Sequence, residues 1–169
     1  ARPQLFSSML VNKTGYAYLG VKTLLSPPPS ITGRVTLEID GVSIPLPSKL
    51  RSVQIFNCHG SSDAVDFFGC GQPSVEGEIQ KYSHPSNDDG LLEVVGTEGV
   101  PHLLSAKLGF RHSWRLGQGK TIKLTILKPS SSLVAQVDGE SWVPKSGALQ
   151  INHVGKVNVI VGPNGRFPL

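Results

Sequence analysis

The 169-residue sequence has few cysteines and no long hydrophobic run. Its two cysteines, Cys58 and Cys70, are twelve positions apart without a second pair, so they indicate neither a disulfide framework nor a zinc knuckle. No stretch approaches the roughly 20 apolar residues that a membrane span needs, and no charged-then-apolar signal segment begins the chain. We therefore expect a cytoplasmic protein with reduced thiols and no transmembrane segment.

Charged residues are also sparse, at 17% of the chain, with a formal net charge of +4. Lysine and arginine are scattered rather than clustered, so we expect no nucleic-acid partner. The modest positive charge suits a loose attraction to anionic lipid or to nucleotide phosphates, and equally an ordinary protein surface.

Glycine and proline are abundant, at 19 and 13 residues, which favours short elements joined by tight turns. Apolar and polar residues alternate with a period of two in several short runs. We predict a single domain over residues 1–169, mainly β, with a two-layer β-sandwich-like architecture and one or two short flanking helices. The helices are expected near residues 3–14 and 101–108. The predicted strands are 34–39, 42–46, 51–57, 91–95, 121–127, 135–140, 149–153 and 157–161.

The segment Gly119-Lys120-Thr121 is similar to the end of a phosphate-binding P-loop. That motif requires a glycine five residues before Gly119, and Trp114 stands there. The residues that follow alternate like a strand, whereas a P-loop begins a helix. We reject this motif on both grounds.

Two acidic turns are the candidate sites for chemistry. Asp88 and Asp89 precede Gly90 and a strand-like apolar run. One alternative without any chemistry is that they only form a turn after the predicted exposed loop 70–87. Asp138, Gly139 and Glu140 have the same alternative, a hairpin turn with an exposed acid.

A third polar segment, residues 110–119, carries two arginines beside an aromatic residue. Arg111 and Arg115 are therefore candidate contacts on the phosphate side of a ligand, because guanidinium groups bind phosphates through paired hydrogen bonds.

The two acidic turns also carry a family resemblance. The string Asp-Gly-Leu-Leu-Glu-Val-Val-Gly at 89–96, followed about fifty residues later by Asp-Gly-Glu at 138–140 and by Trp142, resembles the accessory domain of diacylglycerol kinases. Further matches are the acidic hairpin at 38–41, the strand ending in Asn57, the small-residue loop at 60–62 and the segment 67–69. The sequence departs from the family pattern at Phe68, His59 and Ser141, where that family usually has tryptophan, proline and proline.

The resemblance implies a chemical role for each acidic turn. It makes Glu140 the candidate catalytic base that takes the proton of the lipid hydroxyl as it attacks the γ-phosphate of ATP. It makes Asp89, ahead of Asp88, the candidate ligand of a magnesium ion, whose preferred ligands are oxygen atoms. Asp138 is expected to shape the turn.

The resemblance covers only the accessory half of such an enzyme. The Gly-Gly-Asp-Gly segment with which these kinases hold ATP occurs nowhere in the sequence. We therefore expect this half to act with an N-terminal catalytic half on diacylglycerol at a membrane surface, as a cytoplasmic, membrane-peripheral protein, and to be inactive alone. Two alternatives remain: the corresponding half of a sphingosine or ceramide kinase, and a non-catalytic β-sandwich module that binds lipid or protein.

Overall fold

A computed structural model describes residues 18, 21–22, 25–57, 82–83, 85–99, 102 and 113–158 of the protein. Strands account for most of the regular structure in these residues. The strands of this described part are β1 Val35–Ile39, β2 Val42–Ile44, β3 Ser52–Phe56, β4 Leu92–Thr97, β5 Trp114–Gly119, β6 Thr121–Ile126, β7 Ala135–Val137, β8 Glu140–Trp142 and β9 Gly147–Asn152.

The strands form antiparallel sheets. One sheet has four strands in the order β2-β1-β6-β9, a second has three in the order β3-β4-β5, and β7 and β8 form a separate hairpin. The predicted mainly β, two-layer architecture is therefore confirmed. Pro45, which follows β2, has no N–H to donate to a sheet, and β2 is accordingly the first strand in the order of its sheet.

In the described part of the chain, one hydrophobic core lies between the two larger sheets. The strand β1 alternates buried and half-buried residues, so one of its faces turns inward as the sequence alternation predicts. Both sheets contribute to the same cluster, whose buried members are Ile31, Val35, Leu37, Ile39, Leu50, Val94, Leu116, Ile122 and Ile126.

The two sheets approach each other closely at Gly117 of β5. A Cβ atom at this position would lie 2.4 Å from Cδ1 of Ile39, which belongs to β1 of the other sheet. Real Cβ contacts of that length do not occur, so the glycine allows β5 to lie against β1.

The chain passes from one sheet to the other at Lys120, between β5 and β6. The Asp40 carboxylate accepts hydrogen bonds from the backbone N–H groups of Lys120 at 3.0 Å and Thr121 at 2.8 Å. Asp40 has a φ of 49°, which aspartate adopts more readily than most residues. The strand after Gly119 confirms the rejection of a P-loop, because no phosphate-binding helix begins there.

Two strand predictions need correction and one strand was not predicted. The predicted strand 135–140 is two strands of a hairpin, because Asp138 and Gly139 both have positive φ, at 48° and 92°, and reverse the chain. The predicted strand 157–161 has no regular structure at Val157 and Asn158, and its remainder lies outside the described residues. The strand β5 falls within the segment 110–119, where the arginines hid its strand pattern.

The predicted helices fall largely outside the described residues. Residues 3–14 lie wholly outside them, and of 101–108 only His102 is described, in helical conformation. Tyr18, Val21, Lys22 and Leu25 are helical as well.

Candidate functional site

The first acidic turn lies on a loop that leads into β4, which we call the acidic loop (residues 85–91). The Asp89 Oδ1 atom accepts a hydrogen bond of 2.8 Å from the backbone N–H of Leu91, so this side chain shapes the turn as aspartate commonly does. Asp88 accepts a hydrogen bond from the Ser86 hydroxyl. Both aspartates are exposed, and their carboxylates are within reach of a ligand in solution.

The Asp88 carboxylate is held in its ionised form. The hydrogen bond from Ser86 lowers the pKa of Asp88 below its ordinary value, and the positive charge of Lys156 lowers it further. The Lys156 ammonium also donates a hydrogen bond to the backbone carbonyl oxygen of Asp88. The segment after β9 is thereby tied to the acidic loop.

A shallow cleft of about 180 Å³ opens beside the acidic loop. It lies between the end of β3, the start of β4 and the segment after β9. The ring of His153 forms one wall, because a Cβ atom on Gly90 would lie 3.7 Å from its Nε2 atom. The lining residues are Asn57, Gly90, Leu91, Leu92, Ile151, Asn152, His153, Val154 and Gly155.

The donor set of the acidic loop suits magnesium better than a metal that needs a full protein cage. Within the ranges that the structure describes, no three His, Cys, Asp or Glu side chains come together as they would around a metal ion. Magnesium commonly keeps several waters and binds through one or two carboxylates. The exposed carboxylates of Asp89 and Asp88 match that pattern.

Behind the acidic loop lies a buried ion pair between β4 and β5. The Arg115 Nη2 atom is 2.7 Å from Glu93 Oε2, and the two side chains are only 1% and 3% exposed. Gln118 Nε2 donates to the other carboxylate oxygen, Glu93 Oε1, at 2.6 Å. Each carboxylate oxygen of this buried acid therefore has a partner.

A β-bulge explains why these three side chains meet. Glu93 lies opposite Gln118 and Val95 lies opposite Arg115, with a register shift between Val94 and Val95. The shift leaves Leu116 as an extra residue of β5, and it turns Arg115 to the face of the sheet that Glu93 and Gln118 share. Without the bulge, Arg115 would lie on the opposite face.

Arg115 and Gln118 also hold the chain that precedes the acidic loop. Arg115 Nη2 donates to the Ser83 carbonyl oxygen at 3.1 Å, and the Ser83 hydroxyl donates to Gln118 Oε1 at 2.7 Å. The Arg115 guanidinium lies 4.5 Å from the centre of the Tyr82 ring, a favourable cation–π distance. Partial burial raises the pKa of Tyr82, and the Arg115 charge opposes that rise, so the phenol is neutral near pH 7. We call Tyr82, Ser83, Glu93, Arg115 and Gln118 the Arg115 cluster.

This arrangement bears on the two arginines suggested as phosphate-side contacts. Arg115 is buried, and its guanidinium binds Glu93 and Ser83 inside the protein. Arg111 lies outside the described residues. The expected exposed loop 70–87 is likewise not uniformly exposed where it is described, because Pro85 is buried and Tyr82 is half-buried.

The second acidic turn lies on the β7–β8 hairpin, which we call the Glu140 hairpin (residues 134–143). Val137 pairs with Glu140 and Ala135 pairs with Trp142, so Glu140 shares one face of the hairpin with Val137 and Trp142. Val137 is 60% exposed and Trp142 is 40% exposed, and Glu140 itself is exposed. Glu140 thus shares its face of the hairpin with two solvent-accessible apolar side chains.

The structure brings Asp88 and Asp89 together on one loop and places Glu140 on a separate two-stranded sheet. The sequence interpretation missed Glu93 and Gln118 entirely. An acid inside the otherwise apolar run Leu92–Val95 was a usable signal, because a buried carboxylate requires a partner. The partner itself could not be identified, because the sequence of β5 does not indicate the bulge that turns Arg115 to the face of Glu93.

The described part of the chain is a β-sandwich that carries two acidic turns. The sequence model of the diacylglycerol kinase accessory domain matches residues 1–141. The chain therefore belongs to the diacylglycerol kinase accessory domain family, as the resemblance predicted.

Individual relatives agree with this assignment. The chain is 32% identical over 152 residues to human diacylglycerol kinase kappa, covering 89% of the chain and 11% of the relative. It is 31% identical to human diacylglycerol kinase theta, covering 94% of the chain and 16% of the relative. It is also 31% identical to Arabidopsis thaliana diacylglycerol kinase 2, covering 92% of the chain and 21% of the relative.

The chain thus spans about a tenth to a fifth of the length of these relatives. No solved structure shows a significant match to it. Within the described residues, no helix combines the length and the apolar composition that crossing a bilayer requires.

Proposed function

We propose that the chain is the accessory half of a lipid kinase that transfers the γ-phosphoryl group of ATP to diacylglycerol and forms phosphatidic acid. Membership of the diacylglycerol kinase accessory domain family supports this function. The observation that carries it is the position of Glu140 on an exposed face beside Val137 and Trp142.

The chemistry of the Glu140 hairpin suits a lipid alcohol. A carboxylate at this position can accept the proton of a hydroxyl group as the hydroxyl oxygen attacks phosphorus. The neighbouring Val137 and Trp142 offer apolar surface to the glyceride portion of the substrate, and a tryptophan with one apolar and one polar edge suits the membrane–water boundary. Glu140 is therefore the proposed catalytic base.

The acidic loop supplies the second part of the proposal. Asp89 and Asp88 would hold a magnesium ion, which would brace the accessory half against the nucleotide-bearing half. Lys156 and Ser86 fix the Asp88 end of the loop for that purpose. ATP itself is bound mainly by the N-terminal catalytic half, and the protein works as a cytoplasmic enzyme peripheral to membranes.

The chain alone is proposed to be inactive, because positioning of the phosphoryl donor is most of the catalysis in phosphoryl transfer. The sequence holds no glycine-rich ATP segment of the type these kinases use. Its contribution is the proton acceptor and the acidic loop.

The test measures phosphoryl transfer from labelled ATP by the full-length protein. Diacylglycerol, sphingosine and ceramide are each presented in mixed micelles, and the 169-residue chain alone is assayed in parallel. We expect label in diacylglycerol with the full-length protein and none with the chain alone. Preference for sphingosine or ceramide would replace the substrate class, and no transfer to any lipid would favour a non-catalytic lipid- or protein-binding module.

A further inference from the structure

Two side chains of β5 join the chain before the acidic loop to the chain after it. Ser83 precedes the loop and Glu93 follows it, and both bond to the same two residues of β5. Arg115 Nη2 bridges the Ser83 carbonyl oxygen at 3.1 Å and Glu93 Oε2 at 2.7 Å. Gln118 bridges the Ser83 hydroxyl at 2.7 Å and Glu93 Oε1 at 2.6 Å.

This double bridge closes the base of the loop. Holding two chain ends together restricts every residue between them, because most open arrangements of the loop become inaccessible. The Arg115–Glu93 pair is an effective restraint, because both of its side chains are almost entirely removed from solvent, where a charged hydrogen bond is stronger. The far side of the loop is held by local hydrogen bonds from Ser86 and Leu91 and by the contact of Lys156 with the Asp88 carbonyl oxygen.

We propose that Arg115 and Gln118 are positioning residues that fix the acidic loop and so set the separation and direction of the Asp88 and Asp89 carboxylates. They touch neither lipid nor nucleotide in this role. The proposal rests on the proposed function only for its consequence, the use of those carboxylates to hold magnesium. The restraint itself can be measured without any substrate.

The first experiment is hydrogen exchange of backbone amides in the full chain, comparing Gln118→Ala with the unaltered protein. Removing Gln118 deletes two hydrogen bonds, so the Leu91 amide and its neighbours in the acidic loop should exchange about 5- to 20-fold faster. Amides of β1 and β6, in the other sheet, should be unchanged. Arg115→Lys keeps the charge but loses the guanidinium whose Nη2 atom donates to both Ser83 and Glu93, and it should show the same pattern.

A matched control is Lys123→Gln, which breaks the partly exposed ion pair with Glu38 in the other sheet. It should leave exchange in the acidic loop unaltered. Unchanged loop exchange in Gln118→Ala would overturn the proposal. Equal acceleration in β1 and β6 would also overturn it, since the cluster would then contribute only to global stability.

The second experiment measures the magnesium dependence of turnover in the full-length protein. In Gln118→Ala, the magnesium concentration for half-maximal rate should rise several-fold, while kcat at saturating magnesium should stay near normal. Faster loop exchange without any change in magnesium dependence would overturn the positioning role. Because exchange is read without lipid or ATP, failure of the lipid kinase proposal and failure of the restraint are distinguishable.

Discussion

The acidic loop and the Glu140 hairpin each reverse the chain at an Asp-Gly pair, but they differ in how strongly the rest of the protein restrains them. The acidic loop is closed at its base by the Arg115 cluster, which contains a buried ion pair, and it is bordered by the cleft at His153. Within the described residues, the two strands of the Glu140 hairpin pair with each other and with no further strand, and its side chains are largely exposed. A loop restrained by buried charges suits a fixed set of ligands, whereas an exposed hairpin suits contact with a separate surface.

The largest effect should come from the hairpin, on activity alone. In the full-length protein, Glu140→Gln preserves size but removes the proposed proton acceptor, so kcat should fall roughly 100- to 10,000-fold. The KM for ATP should change little, because ATP is proposed to be bound mainly by the N-terminal catalytic half. The free energy of unfolding should also change little, because the Glu140 side chain is exposed. Steady-state kinetics with diacylglycerol and ATP make the measurement.

Asp138→Asn is the control for this variant, because asparagine tolerates the positive φ of that position. It should retain most of the turnover. Near-normal turnover in Glu140→Gln would instead return Asp138-Gly139-Glu140 to the role of a simple hairpin turn.

The second effect should come from the Arg115 cluster, on stability. Arg115→Ala leaves Glu93 buried without its ionic partner, which typically costs about 3–5 kcal/mol. Lys123→Ala breaks a pair whose side chains are 39% and 33% exposed, and such pairs contribute about 0–1 kcal/mol. Urea denaturation of both variants compares them, and equal losses would remove the distinction between the two ion pairs.

The third effect contrasts packing in the core with backbone strain in the hairpin. Gly117→Ala places a Cβ atom 2.4 Å from Ile39 Cδ1, and overpacking of this kind costs about 1–3 kcal/mol. Gly139→Ala meets no atom within 4 Å but must adopt a φ of 92°, at a cost of about 1–2 kcal/mol. Thermal denaturation should show the larger loss for Gly117→Ala, and the reverse order would contradict the close approach of the sheets.

The fourth effect concerns magnesium at the acidic loop. At ten times its dissociation constant, bound magnesium should raise the free energy of unfolding by about 1.4 kcal/mol. Asp89→Asn should abolish this increment but keep the stability without metal, because the amide oxygen can still accept the Leu91 N–H. Denaturation with and without magnesium separates the magnesium-dependent increment from the stability of the metal-free protein. An identical increment in the unaltered protein and in Asp89→Asn would exclude Asp89 as a ligand.

The smallest effect is on the titration of Asp88. Its pKa is lower in the folded state than in the unfolded chain, because Ser86 and Lys156 favour the carboxylate. The associated stabilisation is therefore present above the ordinary pKa of aspartate, about 3.9, and is lost as the pH falls through the folded pKa. Ser86→Ala should raise the pKa of Asp88 in an NMR titration, while Ser132→Ala, on a distant turn, should leave it unchanged.

The same two regions explain how far the sequence could lead. The alternation of apolar and polar residues predicted the bounds of β1 and β6 to within one residue. The Asp-Gly pairs predicted the positions of both turns. Both patterns are local signals in the sequence. The Arg115 cluster depends on a bulge that offsets β5 against β4 by one residue, and pairing register between distant segments leaves no local signal. The acidic loop could therefore be predicted, whereas its restraint could not.

The pairing of β1 with β6 also constrains the order in which the protein can fold. Val35 lies opposite Ile126, and residues so far apart must meet before the four-stranded sheet can have a central pair. Closing a loop of that length costs entropy before any contact compensates for it, so such topologies fold slowly. During synthesis, β1 can pair with β2 as soon as both strands have emerged, whereas its pairing with β6 must wait until β6 has left the ribosome.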